Sequence, residues 1–136
     1  MPRQPKLDLP PRARMTPQRK TVIDVIARWR GSFTAIEVYD RARKDSPGVG
    51  LATIYRTIEL LKRSGAVKPL SGGEPGEYVR CHLGHHHHLV CLSCGSVEET
   101  ELCAAPSPRE LKRKHGFAAE RHEFDVYGTC ARCAAA

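Results

Sequence analysis

Residues 51–80 read LATIYRTIELLKRSGAVKPLSGGEPGEYVR, and two hydrophobic periods meet in them. Ile54, Ile58 and Leu61 recur at helical spacing and Gly65 closes the pattern, which predicts a helix over about 51–64. Two β-prone runs follow, 66–70 and 77–80, on either side of a Gly/Pro-rich turn, which predicts a hairpin. Upstream, Thr16-Pro17 is an N-cap followed by proline at the first helical position. Val22, Ile26 and Trp29 then make residues 17–29 an amphipathic helix. Thr34 to Glu37 has the form of a capping box and starts a second helix that runs to about Lys44. Residues 1–13, with four prolines and little periodicity, read as a flexible arm. Three short helices and a hairpin form the pattern of a winged helix-turn-helix, whose third helix enters the major groove. Thr53, Tyr55, Arg56 and Thr57 fall nearer the open side of that helix, and Arg14 reaches out from the arm. Arg56 suits a guanine or a phosphate, and Tyr55 a thymine methyl or a phosphate.

Charge is placed to match. Residues 1–80 hold 16 Lys/Arg and 8 Asp/Glu, while residues 81–136 hold 6 and 7, so the whole net charge of +7 comes from the first part. A polyanion partner is expected for that part alone, and nucleic acid is the commonest; the bland alternative is a merely basic surface. No apolar run of about 18 residues or more is present, so no membrane span is expected. The N-terminus has no signal-peptide pattern, which points to the cytoplasm. Six cysteines in that compartment read as metal ligands before disulfides.

The second part begins near Cys81. Cys91-x2-Cys94 and Cys130-x2-Cys133 are two knuckles 35 residues apart, each able to aim two thiolates at one ion. Between them lie a β-prone run (His86 to Cys91), a second (Ser96 to Leu102), a helix from Ser107-Pro108 to Gly116, and an alternating run from His122 to Tyr127. A structural zinc at the four cysteines would staple a domain too small for a large core. The run His85-His86-His87-His88 takes its meaning from strand geometry, in which successive side chains point to opposite faces. His86 and His88 share one face and, with Cys81, form one candidate site, Glu99 on the neighbouring strand being a fourth donor. His85 and His87 share the other face, where His122 can join them. The competing reading is a surface histidine cluster that collects metal adventitiously.

At this point GLATIYRTIELLKRSG (50–65), HHHHLVCLSCG (85–95), KHGF (114–117) and YGTCARC (127–133) together resemble the ferric uptake regulator family, from about Thr16 to Cys133. Cys81 followed by the four histidines is most similar to its zinc uptake regulators. The resemblance implies an α+β protein: a winged-helix DNA-binding domain (1–80), a hinge (81–85) and a zinc-stapled α/β dimerisation domain (86–136). It implies a homodimer on an inverted-repeat operator, one structural Zn²⁺ and at least one regulatory Zn²⁺ per subunit, and control of metal-uptake genes. It also implies a further site with the other histidines, His122 and an acidic residue. The usual acidic position falls on Ala105 or Pro106, which leaves Glu101 or Cys103, and Cys103 by itself reads as a buried thiol. A further acidic position falls on Lys68. A manganese- or iron-responsive regulator is the alternative within the family, although Ser32 replaces a histidine common in those sensors, and the thiolate of Cys81 suits zinc. A non-sensing structural zinc module would leave Cys81 and the histidines without a role. A zinc hydrolase would need an H-E-x-x-H, whereas His122-Glu123 is followed by Val126 at the last position.

Overall fold

The computed structural model describes residues 7–70, 72, 76–81 and 85–136. The first half contains helices α1 (Pro17–Ala27), α2 (Ala35–Asp45) and α3 (Leu51–Arg63), then strands β1 (Val67–Pro69) and β2 (Tyr78–Arg80). Each helix start has a local cause. The Thr16 side chain accepts from the Arg19 N–H at 3.2 Å, ahead of Pro17. Thr34 and Glu37 cap each other reciprocally: the Thr34 N–H donates to Glu37 Oε2 at 2.8 Å, and the Glu37 N–H donates to Thr34 Oγ1 at 3.2 Å. The end of α3 is a Schellman turn. Gly65 takes φ +77°, its N–H reaches Lys62 O at 3.1 Å, and the Ala66 N–H reaches Leu61 O at 3.0 Å.

The first helix stops at Ala27, two residues short of the sequence expectation. Trp29 leaves the helix yet stays buried, because its indole N–H finds the Ser32 carbonyl at 2.9 Å. The core of this half joins Val22 and Ile26 of α1, Val38 and Ala42 of α2, and Ile54, Ile58 and Leu61 of α3, with Phe33 and Val67. Each of those large side chains contributes roughly 1.5–3 kcal/mol by leaving water. The expected flexible arm needs correction from Leu7 onward. Leu7 is 5% exposed and belongs to this core, with Leu9 packed against it, so apolar burial holds the second half of the arm in place. Residues 1–6 lie outside the described residues, as does most of the expected hairpin turn.

The hairpin pairs antiparallel with Lys68 opposite Val79, and Phe33 extends it through two backbone bonds with Tyr78 at 2.8 and 2.9 Å. Arg80 reaches back from β2 to the Ala27 carbonyl that closes α1, at 2.6 Å.

The second half is a three-stranded sheet. Its centre is β3 (His87–Cys91), paired antiparallel with β4 (Val97–Thr100) and parallel with β5 (Asp125–Gly128). Between β4 and β5 the chain crosses over through α4 (Pro108–His115), capped by Ser107 and ended by Gly116 at φ +64°. A short α5 (Ala131–Ala134) follows β5 and was not expected. The last strand begins at Asp125 rather than His122, so His122 and Phe124 lie in the approach to it. No residue of α4 or α5 is buried. The only apolar cluster of this half among the described residues is shared with the wing: Leu70, Val79, Cys81 and Val90, with Val97 and Tyr127 against them. The Tyr127 hydroxyl also accepts the Gly72 N–H at 2.8 Å. No described helix is long and apolar enough to cross a membrane.

Removing one α3 anchor should test the first core. Ile54→Ala is expected to cost about 2–5 kcal/mol in reversible urea unfolding of zinc-replete protein.

Candidate metal centres and the outward face of the third helix

Among the described residues, three groups of metal-ligating side chains converge, each with its donor atoms within 4.8 Å of one another. The first is Cys91, Cys94, Cys130 and Cys133. Cys91 ends β3, and Gly95 at φ +73° lets the chain turn behind Cys94. Cys130 caps α5, and Cys133 lies within it. The Cys94 and Cys130 sulfurs are 3.9 Å apart, and none of the cysteines is in a disulfide. Bonds of about 2.3 Å in a tetrahedron place neighbouring sulfurs about 3.8 Å apart, so the group fits a zinc ion. Backbone N–H groups already point at the sulfurs: Cys130 N–H to Cys91 Sγ at 3.3 Å, and Cys133 N–H to Cys130 Sγ at 3.4 Å. Hydrogen bonding from the Ser96 hydroxyl and N–H holds the Cys94 thiol down at about 5. Sharing its proton with Cys130 and then Cys94 pushes Cys133 up to about 12. Four thiols this close cannot all ionise alone, and a dication removes that conflict.

The second group is Cys81, His86 and His88. Cys81 follows β2, and His88 lies in β3. Both are buried, with Cys81 Sγ 3.7 Å from His88 Nε2. Burial pushes the Cys81 thiol up to about 12, opposed first by the positive charge of Lys68. The other ring nitrogen of His88 lies 3.0 Å from Asp125 Oδ1, a partner that the sequence reading missed. A carboxylate there fixes the proton on Nδ1 and leaves Nε2 open toward Cys81, the arrangement that orients metal-binding histidines. The expected fourth donor, Glu99, is opposite His88 in the strand register and sets its carboxylate 3.9 Å from His86 Nε2, outside the convergent group.

The third group is His85, His87, His122 and Cys103. His87 Nε2 is 3.1 Å from His85 Nε2 and 3.4 Å from His122 Nε2, and Cys103 Sγ is 3.2 Å from His122 Nε2. Tetrahedral Zn–N bonds of about 2.05 Å give N···N separations of about 3.3 Å, so the imidazoles fit an ion. His87 Nδ1 donates to the Phe124 carbonyl at 3.3 Å, which turns Nε2 inward. Burial, then the neighbouring histidines, lowers the His87 pKa and favours the neutral, ligating form, against the pull of that hydrogen bond. Glu101, expected as the acidic donor, does not join this group. Cys103 takes the position and is exposed rather than buried. Glu101 and Cys103 are two residues apart and have the same parity, so strand alternation could not choose between them.

In the winged half, Tyr55 and Arg56 are exposed on α3 and Thr53 is half-buried. Arg14 is exposed, and its carbonyl accepts from the Arg19 guanidinium. Thr53 and Arg56 share a hollow with Thr16 to Arg19 at the start of α1, so the two helices offer one continuous outward face. Thr57 is a correction. It is fully buried, its hydroxyl donating to the Thr53 carbonyl at 2.7 Å, because it lies three residues after Ile54 and four before Leu61 on the apolar stripe.

A winged helix joined to a small sheet that gathers thiols and imidazoles describes a metal-linked DNA-binding class. Residues 12–127 match the ferric uptake regulator family. The zinc uptake regulation protein of Mycobacterium tuberculosis is 38% identical over 127 residues, covering 88% of this chain and 94% of that protein. The peroxide-responsive repressor PerR of Staphylococcus aureus is 29% identical over 124 residues, covering 88% and 82%. Among solved structures, a zinc uptake regulator complexed with zinc and DNA matches at TM-score 0.71 and 27% identity, over 92% of this chain and 86% of that one. The chain belongs to the ferric uptake regulator family and is a regulator, not an enzyme.

The Asp125 contact generates a test. Asp125→Asn should weaken zinc at the Cys81 group about 10- to 100-fold, read by competition with a chelator, and leave zinc at the four cysteines in place.

Proposed function

We propose that the protein is a cytoplasmic, zinc-dependent transcriptional repressor that binds an inverted-repeat operator as a homodimer and controls metal-uptake genes. The observation that carries this reading is the Cys81–His86–His88 group, because its donors come from both sides of the junction between wing and sheet. Cys81 follows the wing strand β2, and His88 belongs to β3. An ion held in common would fix the wing, and with it α3, relative to the sheet. Each chain would carry one structural zinc at Cys91, Cys94, Cys130 and Cys133 and one regulatory zinc at Cys81, His86 and His88. His85, His87, His122 and Cys103 would form a third site. Sulfur in the regulatory group favours zinc over manganese or iron.

Dimerisation is supported by the outer face of the sheet. Leu89 and Val126 lie side by side in register there, 38% and 48% exposed, over a hollow that continues to Gly128 and Ala131. DNA binding is supported by the basic first half and the open face of α3. The mechanism is linkage: whatever factor zinc adds to operator affinity, the operator adds to zinc affinity. When zinc is scarce, the junction site empties, the wings lose their fixed orientation and repression is released.

The test is operator binding against buffered free zinc, with bound zinc counted. Cys81→Ser and His88→Ala should abolish zinc-dependent binding while the dimer and its four-cysteine zinc persist. His87→Ala should only tune the response. If all three variants respond like the parent protein, the sensing reading fails.

The DNA face has its own test. Arg56→Ala should cost roughly 1–3 kcal/mol of operator affinity if Arg56 reads a base. Binding by the parent should fall steeply with salt as phosphate contacts release counterions. Full affinity in Arg56→Ala would count against this face.

A further inference from the structure

Among the described residues the junction group contains three donors, and the wing places a cation against it. Lys68 sits in β1 opposite Val79, so its side chain shares a hairpin face with Val79. Cys81 is two residues beyond Val79, and Leu70 two beyond Lys68; alternation therefore puts Lys68, Leu70, Val79 and Cys81 on one face. That face is the one turned to the sheet, because Leu70, Val79 and Cys81 share a cluster with Val90. Lys68 also lines a small cavity with His86, His88, Glu123 and Asp125. Its charge acts on the Cys81 thiol against the larger effect of burial, while Glu99, Asp125 and Glu123 act with burial.

We propose that Lys68 is a built-in cationic competitor at the Cys81–His86–His88 site, setting the free-zinc level at which that site fills. The inference rests on the zinc-sensing reading of the site. With the site empty, the ammonium stands in for part of the missing positive charge beside the carboxylates of Asp125 and Glu123. When a dication enters, the two positive charges repel in a partly desolvated space, where such interactions are several times stronger than in water. Lys68 must then swing toward solvent, so filling the site is coupled to the wing strand that carries it. A neutral side chain at this position would remove the competition and leave the donors intact.

The experiment uses the full chain with its four-cysteine zinc retained, and Zn²⁺ alone as probe. Zinc affinity of the junction site is measured without DNA, by competition with a chelating indicator, for the parent, Lys68→Met and Lys68→Arg. Lys68→Met should bind zinc about tenfold tighter or more, and Lys68→Arg, which keeps the charge, should stay near the parent. The gap between Met and parent should shrink at high salt. In operator titrations the Lys68→Met midpoint should move to lower free zinc by the same factor. Unchanged affinity in Lys68→Met overturns the proposal, as does equal tightening in Met and Arg, which would assign the effect to shape. Weaker binding in Lys68→Met also overturns it, by making Lys68 a ligand. Because zinc affinity is read without DNA, these outcomes stand apart from the Cys81→Ser operator test, whose failure would sink the sensing reading itself.

Discussion

Four thiols stand where β3 and β5 both end, and the geometry of the second half hangs on holding them together. The strands are parallel there, with Cys91 opposite Gly128 and the Leu92 N–H bonded to the Gly128 carbonyl at 2.8 Å. Parallel strands need a long crossover, here the passage through β4 and α4, and α4 has no buried residue to hold that passage down. The strands themselves are four or five residues long. So little apolar burial cannot by itself offset the entropy of ordering about 50 residues at roughly 1–2 kcal/mol each for backbone alone. A four-thiolate zinc, as proposed, would close the loop between the knuckles and supply folding free energy directly.

Both histidine groups depend on that closure. His88 meets Asp125 only because β3 and β5 are in register, and His87 meets the Phe124 carbonyl and His122 for the same reason. One strand thus serves two sites on opposite faces. The face bearing His86 and His88 looks toward Cys81 and the wing, and the face bearing His85 and His87 looks toward the crossover. An ion on the first face would join the two halves of the chain. An ion on the second would tie Cys103 and His122, at either end of the α4 excursion, to the sheet.

Much of this was legible because its causes are local. The helix starts are written in Thr16-Pro17, in Thr34 with Glu37, and in Ser107-Pro108; the ends of α3 and α4 are written in Gly65 and Gly116. The division of the four histidines follows from a period of two, and it holds although the strand proper begins only at His87. What was not legible depends on distant partners. Asp125 becomes the partner of His88 through a parallel register that no spacing announces. Cys103 lies three residues past the end of β4, where alternation no longer applies, and the crossover returns His122 to its side. Trp29 looked helical by period, but a carbonyl just outside the helix gave its indole a better position. Thr57 looked polar and outward, yet it sits on the buried stripe with its hydroxyl satisfied by the turn before it.

These dependences impose an order on the proposed metal sites. The junction site exists only once β3 and β5 are registered, and on the proposed reading the four-cysteine zinc would hold that register. A sensor of this design must therefore hold its structural ion far more tightly than its regulatory one. Otherwise falling zinc would unfold the dimerisation unit before it emptied the switch, and release from DNA would be irreversible loss rather than regulation. The donor sets point the same way. Four thiolates in a closed tetrahedron carry twice the negative charge needed to neutralise the ion, and backbone N–H groups disperse the excess. The junction offers one thiol that burial keeps protonated and two imidazoles, with an ammonium nearby. Zinc entering there must displace a proton as well as a competing charge, and both lower its apparent affinity. Weak binding at the junction is then a requirement of the proposed switch, met by the same buried cysteine whose sulfur would favour a soft cation.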